Sequence, residues 1–233
     1  MKSLYKSYNL NVEKAYIIRV KGNSTSESLA KRCSKSCENV NMPYQLWDAY
    51  NGIHNPIIPP DHLKDHVLMN MIKIGDHYIS RGEIACVLSH ISLWSKCLEI
   101  EQPIVILEHD AVMVKPYYEH KIYNSICYLG CDEQANHGWK VLPTPPHGSD
   151  GNNFHFICRA HAYAIDPSIA RTMICYVLKY GITHSLDMML RADLFPIHQS
   201  GLYAYDVRDG YETTILNRPE EGKIMTRNED LSR

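Results

Sequence analysis

The sequence is poor in the features that define several special classes of protein. Only three of its 233 residues are phenylalanine, and its 24 lysine and arginine residues nearly balance 26 aspartate and glutamate residues. Because nucleic-acid-binding surfaces need an excess of basic residues, this balance indicates that no nucleic acid is bound. No apolar run approaches the roughly 20 residues that cross a bilayer. The first residues also lack an apolar segment behind their lysines, so we expect no signal peptide, no transmembrane segment and a cytoplasmic location.

The C-x2-C spacing of common zinc sites is also absent. The eight cysteines include Cys33 with Cys37 and Cys127 with Cys131, each pair four residues apart. Structural zinc sites commonly use pairs of cysteines with the C-x2-C spacing instead. A zinc protein is one interpretation of the histidines and cysteines. The spacings favour a different one, in which reduced thiols are buried as small apolar groups.

The order of the predicted elements indicates a single α/β domain over residues 1–233. A strand at 14–20, a helix from a cap at Ser24 or Ser26 to about residue 38, and a strand at 44–50 form a βαβ unit. Such a unit predicts a parallel sheet.

Further elements are predicted along the rest of the chain. Ser80 and Glu83 form a capping-box pattern for a helix to about residue 100. The apolar stripe of this helix leaves Ser89 pointing away from the core. We expect strands at 103–107, 125–129, 154–165 and 202–207, and helices at 62–70, 117–123, 167–180 and 186–194. Residues 1–13 are expected to form a loose arm, residues from about 208 a flexible polar tail, and residues 53–79 and 130–152 two long loops of the kind that bind ligands.

The most informative stretch is P-I-V-I-L-E-H-D-A-V-M at residues 103–113, a run of apolar strand formers that leads into two carboxylates. In an extended chain, Glu108 and Asp110 face one side and His109 faces the other. Open α/β sheets bind ligands at the carboxyl ends of their strands. Carboxylate oxygens there suit Mg²⁺ or Mn²⁺, which would hold the phosphates of a nucleotide-sugar. The alternative is a pair of solvated acids at an exposed strand end.

Five segments around this acidic pair, in chain order, resemble one family. They are W-D-A-Y-N-G at 47–52, G-E-I-A-C-V-L-S-H at 82–90, I-L-E-H-D-A at 106–111, A-H-A-Y-A-I at 160–165 and S-L-D at 185–187. They are similar to the F-D-A-x-D-G, G-E-I-G-C-A-L-S-H, I-L-E-D-D-A, G-x-x-A-Y-L-I and later aspartate motifs of glycosyltransferase family 25. This family contains the lipopolysaccharide-type sugar transferases related to the collagen galactosyltransferases. Ala85 stands where glycine is usual, and His109 where the family has aspartate.

The resemblance implies a GT-A type fold, with a mostly parallel, Rossmann-like central sheet flanked by helices. It also implies a UDP-sugar donor and a divalent cofactor, Mn²⁺ or Mg²⁺. On this basis Asp110 binds the metal, and Glu108 reaches the donor or the metal through water. Asp48 falls on the nucleoside side, while Ser89 and His90 line or support the donor pocket.

Family members of known activity invert the anomeric centre, which requires a base for the acceptor hydroxyl. Asp187 is the candidate catalytic base that the resemblance implies. Its alternative role is that of an acid in the first turn of a helix, where acids are favoured. His184 and His198 flank Asp187 and are candidates to complete the metal shell, His198 foremost, or to serve as structural histidines.

The leading hypothesis is therefore a metal-dependent glycosyltransferase. It would move a hexose, galactose or glucose, from a UDP-sugar to a glycan or a lipid-linked saccharide. A lipid-linked acceptor would bring the cytoplasmic protein peripherally to a membrane. The alternative, which His109 favours, is a non-catalytic protein that binds a nucleotide-sugar or glycan on the same scaffold.

Overall fold

The computed structural model describes residues 11–54, 56–74, 79–131, 142–143, 155–157, 159–206 and 225–226. Its helices are α1 (Ser24–Asn39), α2 (Val67–Met71), α3 (Arg81–Ile100), α4 (Pro167–Tyr180) and α5 (Leu186–Met189), with a 3-10 turn at Asp61–Leu63. Its strands are β1 (Ala15–Arg19), β2 (Tyr44–Asp48), β3 (Ile79–Ser80), β4 (Ile104–Leu107), β5 (Ala111–Met113), β6 (Ile126–Cys131), β7 (Leu142–Pro143), β8 (His155–Phe156), β9 (Ala162–Ile165), β10 (Ile197–Asp206) and β11 (Met225–Thr226).

The centre of the fold is a seven-stranded sheet in the order β2-β1-β4-β9-β6-β10-β5. β2, β1 and β4 are parallel neighbours, and so are β6 and β10. β9 runs antiparallel between β4 and β6, and β5 runs antiparallel at the edge beside β10. The predicted α/β class is confirmed, as a mixed, mostly parallel sheet flanked by helices.

β4 lies at the heart of the core because both of its faces are covered. All four of its residues are 0% exposed. Ile104 and Ile106 pack into the cluster that includes α3 and α4, whereas Val105 and Leu107 pack into the cluster under α1. Strands buried on both faces read as continuous apolar runs, which is the pattern of this segment. Each such side chain contributes roughly 1.5–3 kcal/mol by its burial.

The predicted capping box of α3 is confirmed, and α4 begins at a capping aspartate. At the start of α3, the Ser80 hydroxyl accepts a hydrogen bond from the Glu83 amide at 3.2 Å, and the Ser80 amide donates to the Glu83 carboxylate at 2.8 Å. At the start of α4, the Asp166 carboxylate accepts from the amides of Ser168 and Ile169. Pro167 takes the first helical position, and Gly181 ends the helix with a φ of 77°.

The predicted cap of α1 is wrong. Asn23, rather than Ser24 or Ser26, caps the helix, and its side chain accepts from the Ser26 amide at 2.9 Å. The Ser26 hydroxyl instead accepts a hydrogen bond from the Val20 amide at 2.8 Å. The serine is therefore used to hold the turn between β1 and α1.

The helix predicted at residues 117–123 is also wrong. The Val12 amide donates to the Tyr118 carbonyl at 2.8 Å, and Asn11 forms a bridge with Glu119. Pairing with the end of the N-terminal segment thus replaces the helix. The helix predicted at 186–194 ends at Met189, and the strand predicted at 202–207 already begins at Ile197.

Ser89 does not point away from the core. It is 1% exposed, donates to the Ala85 carbonyl at 2.7 Å, and accepts from the Tyr50 amide at 2.9 Å. A neighbouring bond joins the Trp47 indole to the Ser92 hydroxyl at 2.9 Å. Two serines on one helix turn therefore fasten α3 to the end of β2.

Some predicted segments fall on parts of the chain outside the described residues. These are residues 1–10 of the predicted arm, most of the 130–152 loop, and most of the tail from residue 208. Within the tail, Met225–Thr226 pairs antiparallel with β3. Among the described residues, no helix combines the length and apolarity that crossing a bilayer requires.

Candidate functional site

The acidic pair lies in a turn rather than on an extended strand. β4 ends at Leu107, and the Ala111 amide donates to the Glu108 carbonyl at 3.1 Å across residues 109 and 110. The premise that Glu108 and Asp110 face one side of an extended chain is therefore wrong. The bend has a physical reason: β5 follows at once and must reach the far edge of the sheet, beside β10.

Glu108 points towards α3. Its Oε1 atom lies 3.3 Å from Nε2 of His90 and accepts a long contact from the Cys86 thiol at 3.8 Å. Cys86 and His90 are four residues apart, so both lie on one face of the helix. Burial acts to raise the pKa of Glu108, but the interaction with His90 and the neighbouring histidines outweighs it and lowers that pKa. Glu108 is thus held as a carboxylate.

A buried aromatic pair fixes the ring of His90. Its Nδ1 atom lies 2.8 Å from the Tyr163 hydroxyl, which also accepts from the Trp94 indole at 3.0 Å. The His90 and Tyr163 rings stack with centroids 5.7 Å apart. His90 is 0% exposed. Burial, followed by the charge of Glu108, raises the pKa of Tyr163 well above its usual range, so the hydroxyl keeps its proton.

His109 and Asp110 turn to the other side of the sheet, towards α1. Nδ1 of His109 lies 3.3 Å from the Ser26 hydroxyl in the first turn of that helix. Asp110 is near enough to α1 for its charge to contribute to the raised pKa of the Cys33 thiol, after the hydrogen bond from Cys37 and burial. The acidic turn therefore spreads its side chains over both faces of the sheet edge.

Asp187 holds a strained turn. Arg159 has a φ of 60°, and the Asp187 carboxylate accepts from the Arg159 amide at 2.8 Å and from the Ala160 amide at 3.1 Å. Burial, and then repulsion from Glu108, raises the pKa of Asp187 to about 6 against the pull of the two amides. Asp187 and Glu108 are thus close enough to influence each other, although they are 79 residues apart in the chain.

Asp48 lines a cleft at the carboxyl ends of β1 and β2. Nε of Arg19 donates to its carboxylate at 2.8 Å, and Nζ of Lys21 lies 4.0 Å away. The cleft has a volume of about 200 Å³, and Asn51 and Lys64 contribute to its walls. It opens where parallel α/β sheets bind ligands.

The register places His198 far from the acidic turn. His198 pairs with Cys127 of β6, which pairs with Ala164 of β9, which in turn pairs with Val105 of β4. His198 is therefore three strands from β4 and level with a residue three positions before Glu108. Along β10, His198 also lies eight residues before Asp206, the partner of Ala111 next to the acidic turn. The sheet does not bring His198 to the acids.

His184 is exposed and bonds through Nδ1 to the Thr183 hydroxyl at 3.0 Å, so its described contact is local. Four residues that were not predicted from the sequence also lie at the site: Cys86, Tyr163, Arg159 and Asp206. Arg159 approaches the buried Asp206 at 3.5 Å. Of these four, Cys86 and Tyr163 carried a signal, since each belongs to one of the quoted motifs.

One comparison with known proteins found a match. The chain matches the model of a family described as glycosyltransferase family 25 (LPS biosynthesis protein) over residues 13–130. The matched range includes the W-D-A-Y-N-G, G-E-I-A-C-V-L-S-H and I-L-E-H-D-A segments, and ends before Asp187. No curated protein matches the chain. Because residues 13–130 make up just over half of its 233 residues, the chain belongs to glycosyltransferase family 25 and is a glycosyltransferase.

Proposed function

We propose that this glycosyltransferase is metal-dependent and moves a hexose, galactose or glucose, from a UDP-sugar to a glycan or a lipid-linked saccharide with inversion. One observation carries the proposal. β2, β1 and β4 are parallel neighbours, so their carboxyl ends set the Asp48 cleft and the turn of Glu108 and Asp110 along one edge. Two strand spacings, about 10 Å, separate the cleft from the turn. A GT-A type arrangement of donor and metal on that edge is part of the proposal.

The cleft suits the nucleoside end of the donor. Asp48 offers a carboxylate to hydroxyl groups, although Arg19 already holds one of its oxygens. Lys21 and Lys64 place two cations on the cleft walls, where they would attract the diphosphate. Ser89 and His90 hold α3 in place behind this region. Ser89 accepts from the Tyr50 amide, and Nδ1 of His90 lies beside the Tyr163 hydroxyl.

The metal is assigned to Asp110, with Glu108 reaching the donor. Asp110 supplies a hard carboxylate oxygen at the sheet edge, which is the ligand type that Mn²⁺ and Mg²⁺ prefer. When bound, such a cation neutralises charge that develops on the departing diphosphate. Glu108 lies 3.3 Å from His90, on the face of the sheet opposite Asp110, so its proposed role is to orient the donor from that face. His198 is not included, because of its distance from the turn.

The proposed base is Asp187, and it predicts a pH profile. The base accepts the acceptor's proton only when it is ionised, and its pKa is raised to about 6. The transfer rate is therefore expected to fall about tenfold per pH unit below that value and to level off above about pH 7. Initial rates across this range, at saturating donor and metal, measure the profile. A rate that stays constant from about pH 5 to about pH 7 would remove Asp187 from this role.

The direct test of the proposed function is hydrolysis of the donor by the full chain. We expect release of UDP from UDP-galactose or UDP-glucose in the presence of Mn²⁺, and none after the metal is removed with EDTA. Hydrolysis that is unchanged by EDTA would contradict the metal requirement. Absence of UDP release from every hexose donor, with or without saccharide acceptors, would contradict the transferase itself.

A second candidate is a protein that binds a nucleotide-sugar without turnover. The contacts of the two acids favour it. Backbone amides already donate to both oxygens of Asp187, and Nε2 of His90 lies 3.3 Å from Glu108, so both carboxylates have partners within the protein. Calorimetry separates the two candidates. Saturable binding of a UDP-sugar without UDP release over the same period would support the binding protein.

A further inference from the structure

Cys86, His90 and Glu108 bring a sulfur, a nitrogen and an oxygen atom together within 4.8 Å of one another. We propose that these three residues form a Zn²⁺ site with an open fourth position, separate from the hard-cation ligand Asp110. Of the three, Glu108 alone has a direct role towards the donor in the proposed transfer. The zinc site is a property of the folded chain and does not depend on that reaction.

The distances from Glu108 to the other two ligand atoms fit a tetrahedral zinc ion. Bonds of about 2.3 Å to sulfur and about 2.0 Å to nitrogen and oxygen require ligand atoms about 3.3 Å apart for nitrogen and oxygen, and about 3.5 Å apart for sulfur and oxygen. The structure has 3.3 Å from His90 Nε2 to Glu108 Oε1, and 3.8 Å from Cys86 Sγ to the same oxygen. The two distances to Glu108 are within a few tenths of an ångström of that geometry, and all three ligand atoms lie within 4.8 Å of one another.

The histidine nitrogen that would bind the metal is buried and aimed into this space. His90 is 0% exposed, and its Nε2 atom has no hydrogen-bond partner among the described residues, since Glu108 lies at ion-pair distance without hydrogen-bond alignment. Buried polar atoms are normally satisfied, so an exception calls for a ligand. The other nitrogen, Nδ1, lies beside the Tyr163 hydroxyl. One lone pair of that hydroxyl oxygen accepts from Trp94, and the second can accept a hydrogen bond from Nδ1–H. Metal-binding histidines commonly have such a partner.

The chemistry of the trio selects zinc over the cation proposed for Asp110. A thiolate and an imidazole suit Zn²⁺, whereas carboxylates and water suit Mg²⁺ and Mn²⁺. Binding forms a zinc–sulfur bond and releases the Cys86 thiol proton to solvent. Cys86 is only partly buried and the Glu108 side chain is 29% exposed, which gives a path for the ion and room for a water at the fourth position.

The sequence hides this site because its ligands come from two elements. Cys86 and His90 stand at i and i+4 on α3, a spacing that puts two ligands on one helix face, as in H-E-x-x-H metal sites. The third ligand follows 18 residues after His90, beyond the end of β4. Only the packing of α3 on the sheet joins them.

Titration of the metal-free full chain with Co²⁺ tests the site. We expect tetrahedral cobalt bands together with a thiolate-to-cobalt charge-transfer band, saturating at one ion per chain and displaced by Zn²⁺. Cys86→Ser is expected to remove the charge-transfer band and to weaken Zn²⁺ binding at least about tenfold. Cys175→Ser, which changes an exposed cysteine on α4, is the matched control and should leave both unchanged.

Two outcomes overturn the proposal. One is a folded wild-type chain that gives no thiolate-to-cobalt band, and the other is a band that survives in Cys86→Ser. If Cys86→Ser does not fold, Glu108→Gln is the second variant, since Glu108 is partly exposed. An unchanged Zn²⁺ affinity in Glu108→Gln would also overturn the proposed site. Failure of the transferase proposal is distinguishable, because a chain without UDP release still gives the cobalt spectrum.

Discussion

Replacing Asp110 with alanine is expected to lower Mn²⁺-dependent hydrolysis of a UDP-sugar by at least about 100-fold. Asp110 is the hard ligand assigned to the cation, so its loss removes the group that holds the metal against the diphosphate. The loss is expected mainly in kcat/KM, and raising the Mn²⁺ concentration should recover part of it. Rates of UDP release at several Mn²⁺ concentrations measure both effects.

The matched control is Asp65→Ala, which removes an aspartate that is exposed on the loop before α2. This variant should retain the wild-type rate. Equal rates for Asp110→Ala and wild type would contradict the assignment of Asp110 to the metal. A fall in the rate of the Asp65 variant to the same level would show that the assay reports surface charge instead of the site.

Replacing Asp166 with alanine is expected to lower the free energy of unfolding by about 3–5 kcal/mol. The Asp166 side chain is 0% exposed and lies 3.3 Å from Nε2 of the equally buried His120. One of its oxygens also accepts from the Ser125 amide at 3.0 Å, and the other accepts from Ser168 and Ile169 at the start of α4. Alanine leaves these donors buried without an acceptor. Urea unfolding followed by circular dichroism measures the loss.

The same carboxylate predicts the direction of a pH effect. Burial acts to raise the pKa of Asp166, but His120 and the amides outweigh it and lower that pKa. Its stabilising contribution is therefore complete above the unfolded-state pKa of about 3.9 and is lost as pH falls through the folded pKa. Asn23→Ala, which removes a helix cap that has no buried histidine beside it, is the control and should cost about 1 kcal/mol. Equal losses for the two variants would contradict the role of the His120 pair.

Local patterns predicted the elements that local chemistry determines. The capping box of Ser80 and the start of α4 at Pro167 were found because each uses residues three or fewer apart in the chain. The helix expected at 117–123 failed for the opposite reason. Its backbone pairs with residues 11 and 12, and no feature of the segment itself announces a partner more than 100 residues away.

The candidate site was predicted in part for the same reason. Glu108 and Asp110 stood out because they follow a buried strand, but the turn that parts them is imposed by where β5 must go. Ser89 was placed on the wrong side because an apolar stripe does not show that a serine can bond to the end of β2. Tyr163 meets His90 only through the insertion of an antiparallel strand beside β4.

The position of β5 has a consequence for the order of events during synthesis. β5 begins one residue after Asp110, and its partner in the described sheet is the end of β10, at Ala204 and the two residues after it. The ribosome makes those residues about 90 positions later, which takes roughly 5 to 20 s at ordinary elongation rates. The nascent chain can assemble β1, β2 and β4 early, yet the acidic turn stays without its anchoring strand until β10 emerges. The edge that carries β5 is thus the last part of the seven-stranded sheet to pair.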